Sequence, residues 1–303
     1  LFLLVFLSFC SILFNILPKN SFFIYKTVIL RLINQNMLLD KKTKKNIFTE
    51  VRENGYAKID NYFSFEQIDK VKKSLVEMLN YVYKDDKVTD LQKKYFQILE
   101  KNPKLKGNFY DLCKHETEIL KLLNDDRTMD LVRGYFNTEV IFSSNPGILI
   151  YDDGNQRVLA PHQETNQFAK DFLFIWAPLY DAIGDQGGIT IYENSHKHGY
   201  WQHHTNNKLG STNVISEAAS KFKKKKLEVE AGSALLVHSA MIHESVNTKK
   251  KGFARFVIID RLCPLKQLPY LERADVPKKI PYPGHGEGGH TVDYNTKNIY
   301  LKN

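Results

Sequence analysis

Phe172-Leu173-Phe174-Ile175-Trp176-Ala177-Pro178-Leu179, then Gly184-Asp185-Gln186-Gly187-Gly188, then Ile189-Thr190-Ile191-Tyr192: this succession decides the fold class. Each apolar or alternating run is shorter than an ordinary helix and is cut by turn-forming residues, which is the pattern of β-strands. The same grammar holds from Gly134 onward. Val140 to Phe142, Gly147 to Tyr151, Leu227 to Val229, Ala234 to His238 and Ala254 to Arg261 are further strand candidates. Asp152-Asp153-Gly154-Asn155 and Glu230-Ala231-Gly232-Ser233 supply turns between them. Upstream the period changes. Phe48, Val51, Gly55, Tyr56 and Ile59 predict a short helix leading into a strand, and Ser64 caps a helix whose buried face is Ile68, Val71, Leu75, Met78 and Leu79. Leu91 to Leu99, Leu112 to Leu123 and Asp125 to Phe136 repeat helical spacing. Short strands after a helical prelude predict a mainly β protein with flanking α-helices, built as a sandwich or jelly roll.

Composition bounds the function. With 303 residues, 43% of them hydrophobic, the chain is long enough to bury a substantial core in one domain. The net charge of +9 comes from dispersed lysines and not from an arginine-rich stripe, so it suits an anionic substrate or cosubstrate and does not call for nucleic acid. Lys221 to Lys226, broken only by Phe222, reads as a solvated loop before a strand. Three cysteines, Cys10, Cys113 and Cys263, lack paired or metal-type spacing, as expected of a reducing compartment. Leu1 to Leu17 is almost wholly apolar but has no preceding basic residue, and Met37 opens a stretch that reads as a cytosolic start. Residues 1–36 are therefore read as an upstream artefact of translation or gene calling, with a membrane anchor as the alternative. A cytoplasmic location follows from that reading. Residues 37–136 form the helical prelude, 137–262 the β core, and the Pro- and Gly-rich residues 263–303 an irregular extension.

The chemistry concentrates in His162-Gln163-Glu164 and a distant His243. On an extended segment residues i and i+2 share a face, so His162 and Glu164 can present an imidazole and a carboxylate to one point while Gln163 faces away. A third ligand must come from elsewhere. His243 is the candidate, since an apolar strand precedes it and polar Glu244, Ser245 and Asn247 follow; His238 reads as a strand residue near the site. Two histidines and a carboxylate leave one face of a divalent metal open, as in non-haem Fe(II) oxygenases. Arg255 lies within the apolar run Phe253 to Ile259, where a buried guanidinium needs an anion. Either an internal Asp or Glu or a carboxylate cosubstrate would serve.

These residues resemble the phytanoyl-CoA dioxygenase family of Fe(II)- and 2-oxoglutarate-dependent oxygenases. The resemblance runs from about Ile148 to Arg261 and is carried also by Ile175-Trp176-Ala177-Pro178-Leu179, Gln186-Gly187-Gly188-Ile189, Asn194-Ser195-His196-Lys197-His198-Gly199 and Ala231-Gly232-Ser233. It implies a double-stranded β-helix, a cupin-like jelly roll. It also implies that His162, Glu164 and His243 are metal ligands, that Arg255 and Ser245 bind the distal carboxylate of 2-oxoglutarate, and that Trp176 walls that pocket. Iron, 2-oxoglutarate and O2 are the implied cofactor and cosubstrates, with ascorbate as a supporting reductant, and the reaction is hydroxylation of an unactivated C–H bond of a small molecule coupled to release of succinate. One departure stands out: the family's usual Asp is here Glu164. Two other classes fit the framework, a non-catalytic jelly-roll binder of sugars or small anions and a cupin-type metal-dependent isomerase or hydrolase.

Overall fold

The computed structural model describes residues 38–82, 88–143, 146–153, 160–164, 171–201, 203–206, 211–214 and 216–265. The expectations for residues 1–36 and, apart from its first residues, for the extension 263–303 lie outside the described residues. No helix among the described residues is long and apolar enough to cross a membrane.

Helix α1 (Lys41–Asn54) is started by Asp40, whose carboxylate accepts from the N–H groups of Lys42 and Thr43. It stops at Gly55, where φ is 80°, a conformation open to glycine without strain. The chain passes directly into strand β1 (Tyr56–Ile59). Helix α2 (Phe65–Val82) carries the expected reciprocal cap: the Gln67 N–H donates to Ser64 Oγ and the Ser64 N–H to Gln67 Oε1. Helices α3 (Leu91–Lys101), α4 (Leu105–Cys113), α5 (Thr117–Leu123) and α6 (Asp126–Phe136) follow. The helix expected over Leu112 to Leu123 is present only from Thr117, because Glu116 accepts from the N–H groups of Glu118 and Ile119 and begins α5 there, while Leu112 and Cys113 end α4, whose earlier residues were not foreseen as helix.

The strands are β2 (Ile141–Ser143), β3 (Gly147–Asp152), β4 (Leu173–Pro178), β5 (Gly188–Tyr192), β6 (His203–Asn206), β7 (Ser211–Val214), β8 (Lys224–Leu227), β9 (Ala234–His238), β10 (His243–Val246) and β11 (Ala254–Pro264). A short helix, α7 (Ser216–Ala219), separates β7 from β8. The larger sheet runs β1-β9-β4-β11-β2 with β3 also on β11, and the smaller runs β10-β5-β8. Their pairings are antiparallel and join strands distant in sequence, as the winding of a jelly roll requires. Among the described residues only β6 and β7 pair as sequence neighbours.

Period two divides the larger sheet between two cores. Ala254, Phe256, Ile258 and Leu262 of β11 join Ile175, Leu236 and the helical residues Val51, Val71, Leu75 and Ile119 on the outer face. Val257, Ile259 and Cys263 join Phe174, Trp176, Leu235 and Val237 of the larger sheet and Ile189 and Ile191 of the smaller one between the sheets. The same alternation puts Arg255 and Arg261 on the inner face. Two strand expectations need correction. β8 lies upstream of the expected Leu227 to Val229, sharing only Leu227 with it, and takes in the second half of the lysine run read as a loop. Among the described residues it is an edge strand held only by β5, so its lysines stay in solvent while Leu227 turns inward, and charge on such an edge discourages pairing with other chains. β11 runs on to Pro264 because β2 pairs with its last residues. β6, β7, β10 and α7 were not foreseen, since polar stretches such as His203–Asn206 and His243–Ser245 carry no apolar alternation.

Candidate metal centre

His162 and His243 face each other across an isolated antiparallel bridge, each N–H donating to the other's carbonyl at 2.9 and 3.0 Å. Their rings stand 4.2 Å apart, and the His243 ring packs on Phe174. Main-chain hydrogen bonding, independent of any metal, thus brings together two residues 81 positions apart. Each ring is also oriented. His162 Nδ1 donates to Ala160 O and His243 Nδ1 to Met241 O, which leaves both Nε2 atoms as lone-pair donors directed to one point. Glu164 completes the group, its Oε1 at 3.6 Å from His162 Nε2 and 3.7 Å from His243 Nε2. One donor atom from each of the three lies within 4.8 Å of the others, and all three side chains are buried. Gln163 faces away as expected, its amide donating to Gly199 O and Ala240 O and accepting from the Trp201 N–H.

Burial alone would raise the Glu164 carboxyl, but the Arg261 guanidinium beside it outweighs burial and holds the group well below the usual carboxylate range. Burial lowers His243, and the neighbouring His162 lowers it further. Both effects favour the forms a cation needs, an anionic carboxylate and a neutral imidazole. The donor set is the mixed N and O set that suits first-row divalent metals and leaves positions open.

Arg255 is 1% exposed. Its Nη1 donates to Gly188 O at 2.7 Å and Val246 O at 2.6 Å, and its guanidinium carbon lies 4.7 Å from the Tyr151 ring and 6.0 Å from the Trp176 ring. Burial pulls its pKa down to about 10, so it stays charged at neutral pH. No carboxylate pairs with it among the described residues, and its buried Nε has no partner there. Of the two readings open in the sequence, the internal salt bridge finds no support in the described residues, and the cradle fits an anionic ligand. Trp176 flanks the guanidinium. Ser245 donates to the Tyr151 hydroxyl at 3.2 Å and so reaches the cradle through Tyr151.

Gly187 makes this cradle possible. Its φ is 91°, and a Cβ there would meet Arg255 Nη1 at 2.5 Å and Val246 O at 2.7 Å. Gly187→Ala is expected to destabilise the fold by about 1–3 kcal/mol and to displace Arg255. Thermal unfolding, with the KM for 2-oxoglutarate measured on the same preparation, checks both effects.

His238 lies outside the ligand group, with Nδ1 accepting from the Ala240 N–H and Nε2 at 3.7 Å from Asp171. Ser195 accepts from the Ile242 N–H and donates to Met241 Sδ, fixing the turn that leads into His243. The sequence reading missed Arg261 and Tyr151. Arg261 ends an apolar run and invites the same question asked of Arg255, what anion it meets; Tyr151 read only as the end of a strand.

The phytanoyl-CoA dioxygenase (PhyH) family model matches residues 51–255. The chain belongs to the phytanoyl-CoA dioxygenase family. The match begins within α1, so the helical prelude is part of the family pattern along with the barrel, and it ends on Arg255. Enzymes of this family are iron- and 2-oxoglutarate-dependent oxygenases with O2 as the usual further cosubstrate, and this chain is an enzyme of that superfamily. Three solved structures are similar. The epimerase SnoN from nogalamycin biosynthesis, in complex with Fe3+, alpha ketoglutarate and nogalamycin RO, is 12% identical with a TM-score of 0.56, over 83% of this chain and 98% of that one. EvdO2 from Micromonospora carbonacea var. aurantiaca, complexed with 2-oxoglutarate, is 13% identical with a TM-score of 0.52, over 82% and 98%. The non-heme monooxygenase ThoJ is 15% identical with a TM-score of 0.51, over 72% and 77%. At these identities the likeness concerns the fold, the jelly roll expected from the strand pattern. No curated protein matches the sequence.

Proposed function

We propose that this phytanoyl-CoA dioxygenase family member hydroxylates an unactivated C–H bond of a small-molecule metabolite, with His162, Glu164 and His243 as its iron ligands and Arg255 as the clamp on 2-oxoglutarate. The observation that carries the reading is the convergence of two oriented Nε2 atoms and one carboxylate oxygen beside a buried arginine without a carboxylate partner among the described residues. When bound, the iron supplies the oxidative chemistry that couples decarboxylation of 2-oxoglutarate to attack on the substrate.

The chain's own residues bind, orient and keep water away. Ala160 O and Met241 O fix the imidazoles. Gly188 O and Val246 O hold Arg255 Nη1, leaving Nε and the rest of the fork for a carboxylate. Phe174, Ile189, Ile191 and Val257 make the space between the sheets apolar, which strengthens charge interactions and protects a reactive site from solvent.

A screen of candidate metabolites with the purified chain, Fe(II), 2-oxoglutarate, ascorbate and air tests this. The expected result is stoichiometric succinate and a product heavier by one oxygen. Succinate with a product of unchanged mass would replace hydroxylation by a rearrangement or epimerisation, the activity named for SnoN. No succinate from any substrate, with 2-oxoglutarate binding intact, would point instead to the non-catalytic binder.

A further inference from the structure

Glu164 uses its two oxygens differently. Oε2 receives both Arg261 Nε at 2.9 Å and Arg261 Nη2 at 2.8 Å. Oε1 receives neither and lies toward the two histidine Nε2 atoms. The terminal torsion of a glutamate is ordinarily broad, and a free carboxylate at the end of it can offer one or both oxygens to a cation. We propose that Arg261 is a positioning residue that makes Glu164 a one-oxygen ligand, keeping the neighbouring coordination positions open for the cosubstrates. The inference rests on the metal reading above and goes beyond it.

The arrangement is built into the fold. Arg261 sits six positions after Arg255 on β11, on the same inner face, while Asp260 turns the other way and accepts from Ser143. Arg261 stands opposite Phe174 in the register with β4, and Phe174 packs against His243, so guanidinium, carboxylate and imidazole share one wall. Both members of the ion pair are buried. Two charges are rarely held out of water for stability alone, since apolar residues of similar size often serve as well. Glu164 also explains the need: one methylene more than aspartate brings an extra torsion and enough reach for both oxygens to approach the ion, and Arg261 removes that freedom by occupying one of them.

Cobalt(II) and 2-oxoglutarate are the probes, with Arg261→Gln and Arg261→Lys as variants and unfolding of each metal-free chain as the control. In Arg261→Gln the carboxylate is expected to close on the metal with both oxygens. Cobalt uptake persists, the visible absorption of the cobalt form shifts toward higher coordination, and 2-oxoglutarate affinity of the cobalt form falls about tenfold or more. Arg261→Lys, which keeps the charge but not the fork, should recover part of the spectrum and affinity. A folded Arg261→Gln chain with the wild-type cobalt spectrum and 2-oxoglutarate affinity overturns the proposal. So does failure of both variants to fold, since Arg261 is then a structural residue. If the wild type takes up no cobalt, the metal reading itself falls and the positioning role with it, a result distinct from the others.

Discussion

His162→Ala and His243→Ala are each expected to reduce succinate formation to background and to abolish tight uptake of one divalent ion, with the chain still folded. Removal of a ring takes away one of three donors converging within 4.8 Å, and two are too few to hold the ion against water. The fold is expected to survive because the His162–His243 bridge is made by main-chain atoms that alanine retains. The cost to stability is a small buried cavity beside Phe174, more for His243 than for His162, since the His243 ring packs on Phe174. Titration with Mn(II) or Co(II) alongside the succinate assay separates the two effects. His238→Ala is the matched control: it also removes a histidine near the site but should keep metal uptake. Retention of stoichiometric metal by His162→Ala or His243→Ala would refute the ligand set.

Arg255→Met is expected to raise the KM for 2-oxoglutarate about 100-fold, with metal affinity nearly unchanged. Loss of one partner from a desolvated, charge-assisted pair costs about 3 kcal/mol, and each 1.4 kcal/mol is tenfold. The carbonyls of Gly188 and Val246 also lose their donor, which lowers the stability of the variant and does not enter the KM. Arg255→Lys should recover little, because one ammonium cannot hold two carbonyls and a carboxylate in the plane of a fork. The decisive comparison is 2-oxoglutarate against a shorter 2-oxo acid without the distal carboxylate. The wild type should favour the diacid strongly and Arg255→Met should barely discriminate. Equal discrimination by the two proteins would mean that Arg255 meets something other than the cosubstrate.

Much of this was legible in the sequence. The capping pair Ser64 and Gln67, the strand Ala234–His238 and the i, i+2 placement of His162 and Glu164 follow from local geometry, and local geometry is what sequence period encodes. The break at Glu116, the extension of β11 to Pro264 and the strand character of Lys224–Lys226 were not legible, because each depends on a partner remote in sequence or on a cap that competes with an otherwise acceptable helix. Arg261 shows the limit most clearly. Its residue type and strand position are plain in the sequence, but its meaning depends on where Oε2 of Glu164 lies, ninety-seven residues earlier in the chain.

The sequence by itself determined the strand and helix periods, the residue types of a candidate metal site and the family that shares them. Only the tertiary structure decided that His162 and His243 are hydrogen-bonded neighbours, that no carboxylate among the described residues meets Arg255, and that one oxygen of Glu164 is taken by a second arginine. The physical reason is one of range. Torsional preference and side-chain alternation act over a few residues and are written locally, whereas the pairing of buried charges is settled by which distant strands share a sheet and by the cost of leaving any one charge unpaired.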